Sequence, residues 1–254
     1  MASSQDRTNG PFHCPACKNE AVLRKGKLRI PHFSHKPPVT CSYGLGETEV
    51  HRRCKTEIYD TFLHAPHVEK VKLERYLKEV RPDISAYING VPVAIEVQIS
   101  NLSLDDVIRR TREYTRRGIH LLWLAEWTSA LDDERYSPRP WERWIHAAYF
   151  GRVYYWVGGT LVVPYHFEPF HLRVKESEWN GRGGKKLSAG GYSRRSMRYK
   201  TPVRGSTLDI LRDFGPKERE YWQGRNIEIP RAKLFCDFGV PFWKLPNSGS
   251  QNPA

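Results

Sequence analysis

Between residues 47 and 127 the apolar positions switch repeatedly between two periods. In "ETEVHRRCKTEIYDTFL" (47–63), Val50, Cys54, Ile58 and Leu63 recur near the helical period and Pro66 closes the segment, which predicts a helix. "HVEKVKLERYL" (67–77) alternates imperfectly at Val68, Val71 and Leu73 and reads as a strand. "RPDISAYINGVPVAIEVQIS" (81–100) holds two β-rich runs around Asn89-Gly90, the strongest short-range signal for a two-residue type I′ hairpin. "SLDDVIRRTREYTRRG" (103–118) is a punctuated helix, with Ser103 as N-cap, Asp106 three residues on and Gly118 as stop. "IHLLWLA" (119–125) is an apolar run of buried-strand length. The order is helix, three strands, helix, strand.

Outside that block the patterning weakens. Residues 11–45 are rich in Cys, His, Pro and Gly, lack helical periodicity, and read as a small metal-stabilised knuckle. "WERWIHAAYFGRVYYWVGGTLVVPYHFEPF" (141–170) predicts an aromatic helix and then a hairpin around Gly158-Gly159. Residues 181–205 contain no acid and read as a mobile basic linker or loop, and the tail after Pro246 reads as disordered. The expected organisation is a knuckle at 11–45, a core at 46–127 and a basic, aromatic-rich region at 128–254.

The hairpin carries the chemistry. Closing it at Asn89-Gly90 opposes Ile88 to Val91 and, further out, Asp83 to Glu96 and Arg81 to Gln98. Alternation puts Asp83, Glu96 and Gln98 on one face, with Ile84, Ala86, Ile88, Val93, Ile95 and Val97 on the other. Two opposed carboxylates repel. A proton, an arginine or a cation between them removes the conflict; a divalent cation, Mg²⁺ or Mn²⁺, suits an all-oxygen pair and can activate water for attack on a phosphate. Gln98 can orient that water but cannot act as its base. The competing reading is an ion-paired solvent face, with Arg81 and nearby lysines balancing the acids.

Composition narrows the partner. The 254 residues hold 41 Lys and Arg against 28 Asp and Glu, a formal net charge of +13, which favours a polyanion. Nucleic acid, DNA first, is the expected partner, with a DNA-processing protein or a second copy of the chain as further candidates. No apolar run approaches the roughly 20 residues of a membrane span and "MASSQDRTNG" has no signal-peptide core, so a soluble cytoplasmic protein with no membrane partner is expected. Three of five cysteines lie in the first 41 residues. Cys14-Pro-Ala-Cys17 has zinc-knuckle spacing, and His35 with Cys41 completes the preferred Zn²⁺ set, His32 competing with His35. Cys54 and Cys236 read as buried small side chains. Arg194, Arg195 and Arg198 in the acid-free run are candidate phosphate contacts, and the aromatics of 141–170 are core first and base-stacking platforms second.

"RPD" followed by "IEVQIS" resembles the signature of the competence protein CoiA-like family, a branch of the PD-(D/E)xK nucleases in which Gln replaces the usual Lys. "FHCPACKNEAVLRKGKLRIPHFSH", "GETEVHRRCK" and "RTREYTRRGIHLLWL" are similar to its other motifs in the same order, so the resemblance covers about residues 11–127. It implies an α/β (α+β) restriction-endonuclease-like core of order αβββαβ and metal-dependent DNA hydrolysis. It points to Glu47 as a third acidic contributor, to His51 as a phosphate or water contact, and to Ser100 as the end of the signature. Glu47, His51 and Lys55 stand at successive i+4 steps, so they share one helix face; a solvated ion-pairing stripe is the alternative. Arg110 and Tyr114 are also four apart, and Arg110 serves either a phosphate or a surface salt bridge to Asp106. The rival functions are a non-catalytic nucleic-acid-binding module and a scaffold for DNA-processing enzymes.

Overall fold

The computed structural model describes residues 5–14, 17–25, 32–36, 48–98, 102–224 and 227–244, and the chain divides into two units, 1–48 and 49–254. In the first unit, β1 (Phe12–His13), β2 (Glu20–Arg24) and β3 (His32–His35) form an antiparallel sheet in that order. The turn after β1 is closed by its own backbone: Lys18 N donates to Cys14 O at 2.9 Å and Cys14 N to Asn19 O at 2.8 Å. Lys18 sits at a φ of 61° to allow it. Among the described residues of this unit, Cys14, Ala21 and Leu23 are the buried hydrophobics, and Phe12 packs on Phe33 with ring centroids 4.8 Å apart. So thin a core needs another source of stability.

The second unit opens with α1 (Glu49–His64), then β4 (Val68–Leu73), β5 (Ile84–Ile88), β6 (Val91–Gln98), α2 (Leu104–Arg116) and β7 (His120–Glu126), the order expected from the patterning. Asn89 and Gly90 take φ of 49° and 77°, so the hairpin closes where these residue types allow it. Ile88 pairs with Val91 and Ile84 with Ile95, the predicted register. Ser103 caps α2 by accepting from Asp106 N at 3.1 Å, and Gly118 follows it at a φ of 72°. β6 and β7 run parallel, with α2 as the crossover.

The sheet does not stop at residue 127. Beyond it come α3 (Pro140–Ala148), β8 (Val153–Gly158), β9 (Leu161–Val174), β10 (Ser177–Asn180), β11 (Lys186–Ala189), β12 (Tyr192–Arg204), β13 (Leu208–Asp209), β14 (Phe214–Arg219), β15 (Trp222–Gln223), β16 (Glu228–Ile229) and β17 (Ala232–Asp237). Ten strands form one sheet with the path β12-β9-β8-β7-β6-β5-β4, β13 on β9, and β17 bridging β14 and β7. β10 with β11 and β15 with β16 are separate ribbons. The reading of 181–205 as a linker is corrected. β9 is a 14-residue strand and presents an open edge along which Tyr192–Arg204 pairs. The basic side chains of that strand turn outward, so charge is no obstacle to its pairing. The aromatic segment is core: Trp141, Trp144, Tyr149, Tyr154, Tyr155, Trp156 and Tyr165 are all buried and offer no face to a base.

Both faces of the central strands are covered, so the competing reading of a solvent face does not hold for Glu96 and Gln98, which are buried. Glu96 is in register with Trp123, and α2 packs there through Arg110 over Trp123 and Trp123 Nε1 donating to Thr111 Oγ1 at 3.1 Å. α1 lies on the opposite face, with Arg53 over Trp156 and Gly159 N donating to Glu57 at 2.7 Å. On the far side of β7, buried Arg152 and Asp237 pair at 3.1 Å and Tyr154 donates to Asp237 at 2.9 Å, tying β17 to β8. Asp237→Ala leaves Arg152 buried without its carboxylate, so a loss of about 3–5 kcal/mol is expected in urea unfolding, against a smaller loss for Asp237→Asn, which still accepts from Tyr154. Equal losses in the two variants would show that the charge pair does not matter.

Candidate active site

Asp83 and Glu96 meet at the open end of the β5–β6 hairpin. Asp83 lies just before β5, where the ladder gives way and its side chain replaces a strand partner: Val97 N donates to Asp83 Oδ2 at 2.8 Å. Its other oxygen, Oδ1, is 3.2 Å from His51 Nε2 and 3.8 Å from Lys55 Nζ. Glu96, one residue before Val97, is 1% exposed. Its Oε1 accepts from both the Arg110 guanidinium and the Tyr114 hydroxyl, one turn apart on α2. Oε2 accepts no hydrogen bond among the described residues. Arg110 also donates to Arg81 O at 3.1 Å, which fixes α2 against the strand carrying Asp83.

The two acids have opposite electrostatics. Burial pushes the Glu96 carboxyl up from 4.5 to about 8; Arg110 and Tyr114 work against that rise and the Asp83 charge adds to it. Burial acts on Asp83 as well, but the hydrogen bond and charge of His51, then Lys55 and the Val97 N–H, outweigh it and hold the carboxyl below its ordinary value. The pair thus divides into an ionised acid and one that keeps its proton near neutrality, which relieves the repulsion expected between them.

The face of α1 turned to the hairpin carries His51 and Lys55, as the i+4 spacing requires. Lys55 is buried, and its Nζ is 2.7 Å from Glu74 Oε1. Glu74 also holds the Arg81 guanidinium, and Arg81 Nε donates to Glu74 O at 2.9 Å. Two expectations change here. Arg81 neutralises Glu74 and not the hairpin acids, because its side chain turns back along the β4–β5 connection. Asp106 is paired by Arg109 at 3.1 Å, which leaves Arg110 to Glu96. Glu74 was not singled out from the sequence. The one available signal, an acid just after a strand of alternating Lys and Val, is too common to carry weight.

Gln98 is buried on the Glu96 face. It lines a cavity of about 30 Å³ with Glu126, Tyr136, Arg139 and Glu142. Glu142 also escaped the sequence reading. It accepts from Tyr155 at 2.6 Å, Tyr136 at 2.9 Å and Arg139 N at 2.7 Å. An acid at the third position of a helix begun by Pro140 is a capping signal and explains the last of these bonds. Glu47, Ser100 and Cys41 lie outside the described residues. Arg194, Arg195 and Arg198 are on β12, exposed and remote in sequence from the hairpin.

In the first unit, one ligand atom each from Cys14, Cys17 and His35 lies within 4.8 Å of the others, with Cys17 Sγ 3.3 Å from His35 Nε2. His35 pairs with Ala21 and His32 with Arg24, so the strand brings His35, and not His32, to the two thiols. No helix among the described residues is long and apolar enough to cross a membrane.

The family description "Competence protein CoiA, nuclease-like domain" matches residues 47–138, and "Competence protein CoiA, N-terminal domain" matches residues 2–44. Together they cover more than half of the chain, which therefore belongs to the CoiA-like family. Among its relatives is competence protein CoiA of Bacillus subtilis (strain 168), 29% identical over 116 residues, 44% of this chain. The alignment covers only 31% of that protein's length. No solved structure matches.

The Glu96 shift gives a test of the geometry in solution. A carboxyl whose pKa is higher folded than unfolded stabilises the fold below about pH 4.3 and loses that contribution as the pH rises towards 8. The Asp83 contribution has the opposite sign and is present above about pH 4. In urea titrations without divalent metal, Glu96→Gln should match the wild type near pH 4 and be the more stable protein at pH 8. Parallel pH profiles for the two would exclude a buried, proton-retaining Glu96.

Proposed function

We propose that this protein is a metal-dependent nuclease that hydrolyses phosphodiester bonds in DNA on a core of PD-(D/E)xK type, with Asp83 and Glu96 holding Mg²⁺ or Mn²⁺. One observation carries the reading: a carboxyl group is fixed inside the sheet by Arg110 and Tyr114, beside a second carboxylate, with its Oε2 taking no hydrogen bond among the described residues. Bound there, a hard divalent cation would take oxygen donors from the two acids and would supply a polarised phosphate and a more acidic water. The chain's own groups do the rest. His51 and Lys55 hold Asp83 ionised and in place, Arg110 and Tyr114 aim Glu96, and Gln98 orients a water or a phosphate oxygen without taking its proton. Glu47 as a third acid and Ser100 as a phosphate contact belong to the same reading. In the first unit, Cys14, Cys17 and His35, with Cys41 as fourth donor, would hold a structural Zn²⁺; two thiolates and an imidazole are the donors that ion prefers.

One observation favours a second reading, a non-catalytic nucleic-acid-binding module. Each hairpin acid already has cationic company, Asp83 from His51 and Lys55 and Glu96 from Arg110, so neither requires a metal for balance. Cleavage assays on single- and double-stranded DNA and RNA with Mg²⁺, Mn²⁺ or EDTA separate the two. The nuclease reading expects DNA cleavage that EDTA abolishes and that Glu96→Gln and Asp83→Asn reduce to background, with a melting temperature raised by the metal in the wild type only. A wild type that neither cleaves nor gains stability from either metal leaves the module.

For the first unit, elemental analysis should find one zinc per chain, lost when Cys14 and Cys17 are both replaced by serine. The same change should unfold that unit, whose buried apolar set among the described residues is Cys14, Ala21 and Leu23. Stoichiometric zinc in the double variant would place the ion elsewhere.

A further inference from the structure

A long, strongly basic stretch lies outside both segments that match the family. Residues 171–204 carry ten Lys and Arg against two Glu, most of the excess behind the chain's +13. Residues 171–195, which hold seven of those basic residues, form a two-stranded antiparallel ribbon that runs from the pair His171↔Arg195 through Val174↔Tyr192 to Asn180↔Lys186. The register at one end continues at the other. Between them the chain bends where Gly190 and Gly191 take φ of 107° and 71°, and Gly191 N donates to Val174 O at 3.0 Å. Among the described residues no third strand flanks this ribbon. At about 3.3 Å per residue the ten residues 171–180, eight of them paired, extend it roughly 30 Å.

Two features indicate what it meets. Arg173, Arg194, Arg195 and Lys186 form no ion pair among the described residues, so their charge is available to a polyanion. Towards the tip, Trp179 and Leu187 are directly opposed on one face and are 48% and 39% exposed. Alternation sends Glu178 to the other face, so the apolar face has no acid beside Trp179.

We propose that this ribbon is a DNA-binding arm that lies in the major groove of a B-form duplex, with its arginines and Lys186 on phosphates and Trp179 and Leu187 against base edges. The proposal rests on the nucleic-acid reading above, though not on catalysis at Asp83 and Glu96. Two strands about 5 Å apart, with their side chains, fit a groove about 12 Å wide. The major groove of an RNA duplex is too deep and narrow to admit them. A single strand wants a row of aromatic platforms, whereas the β10–β11 tip exposes one aromatic ring, that of Trp179.

The test is fluorescence anisotropy in EDTA, where cleavage plays no part, with a DNA duplex, its single strands and an RNA duplex of the same sequence, over a salt series. The DNA duplex should bind most tightly. Replacing Arg173, Arg194 and Arg195 by alanine should flatten the plot of log affinity against log salt by about 2.7, three lost contacts at roughly 0.9 each, and weaken binding roughly tenfold or more. Trp179→Ala should weaken duplex binding and leave the slope unchanged. A correctly folded triple variant with the wild-type slope, or equal affinity for RNA duplex and DNA duplex, would overturn the arm. A wild type that binds duplex DNA through this arm yet never cleaves it would overturn the nuclease reading alone.

Discussion

A carboxyl group buried in the middle of a sheet is the constraint on which the second unit turns. Glu96 is out of water, and an isolated charge there would be intolerable. Keeping its proton spares the carboxyl that cost, Arg110 and Tyr114 hold it in place, and both come from α2, the crossover between β6 and β7. The helix therefore has little freedom in how it sits on the sheet. Thr111, between those two residues, takes the Trp123 indole, so one helical turn secures both a polar and an aromatic neighbour in adjacent strands. On the other side of the hairpin, α1 is anchored by Lys55 through Glu74 and by His51 at Asp83. Two helices on opposite faces thus converge on one pair of acids.

That convergence was legible in part because its components are local. The Asn-Gly turn, the alternation on each side of it and the i+4 spacings on both helices are short-range facts, and they placed Asp83 opposite Glu96, His51 beside Lys55, and Arg110 beside Tyr114. The partners within each pair were less legible. Arg109 and Arg110 are adjacent and identical in type, and which of them turns inward depends on the helix phase, which Val107, Thr111 and Tyr114 set by being buried. The partner of Arg81 is hidden for a similar reason: strand alternation says which face a side chain leaves from, but a long arginine at a strand end can turn along the chain to Glu74.

The second half was hard to read because its contacts are distant in sequence. A run such as "YSRRSMRYKTPVR" has the composition of a loop, and only the edge of β9 makes it a strand. Glu142 is comparable: it belongs to a helix-capping pattern, yet its burial depends on the hydroxyl of Tyr155, across a helix and a turn. Tertiary context overrides local preference most strongly in sheets, since a strand's environment is set by neighbours that the sequence does not place beside it.

The seat of β17 beside β7 bears on how the chain reaches this fold. Leu234 pairs with Leu121, in parallel, on the side of β7 that β8 occupies only towards its other end. That flank of the central strand stays open until more than a hundred further residues have been made. A contact of such span is slow to form, and during synthesis the exposed edge of β7 is an aggregation hazard. The hairpin and its two helices can assemble early, while closure of the sheet waits for a late-arriving strand. An early-forming centre with a late-sealed edge makes the folding of this molecule sensitive to changes around Arg152 and Asp237, far from the acids at its centre.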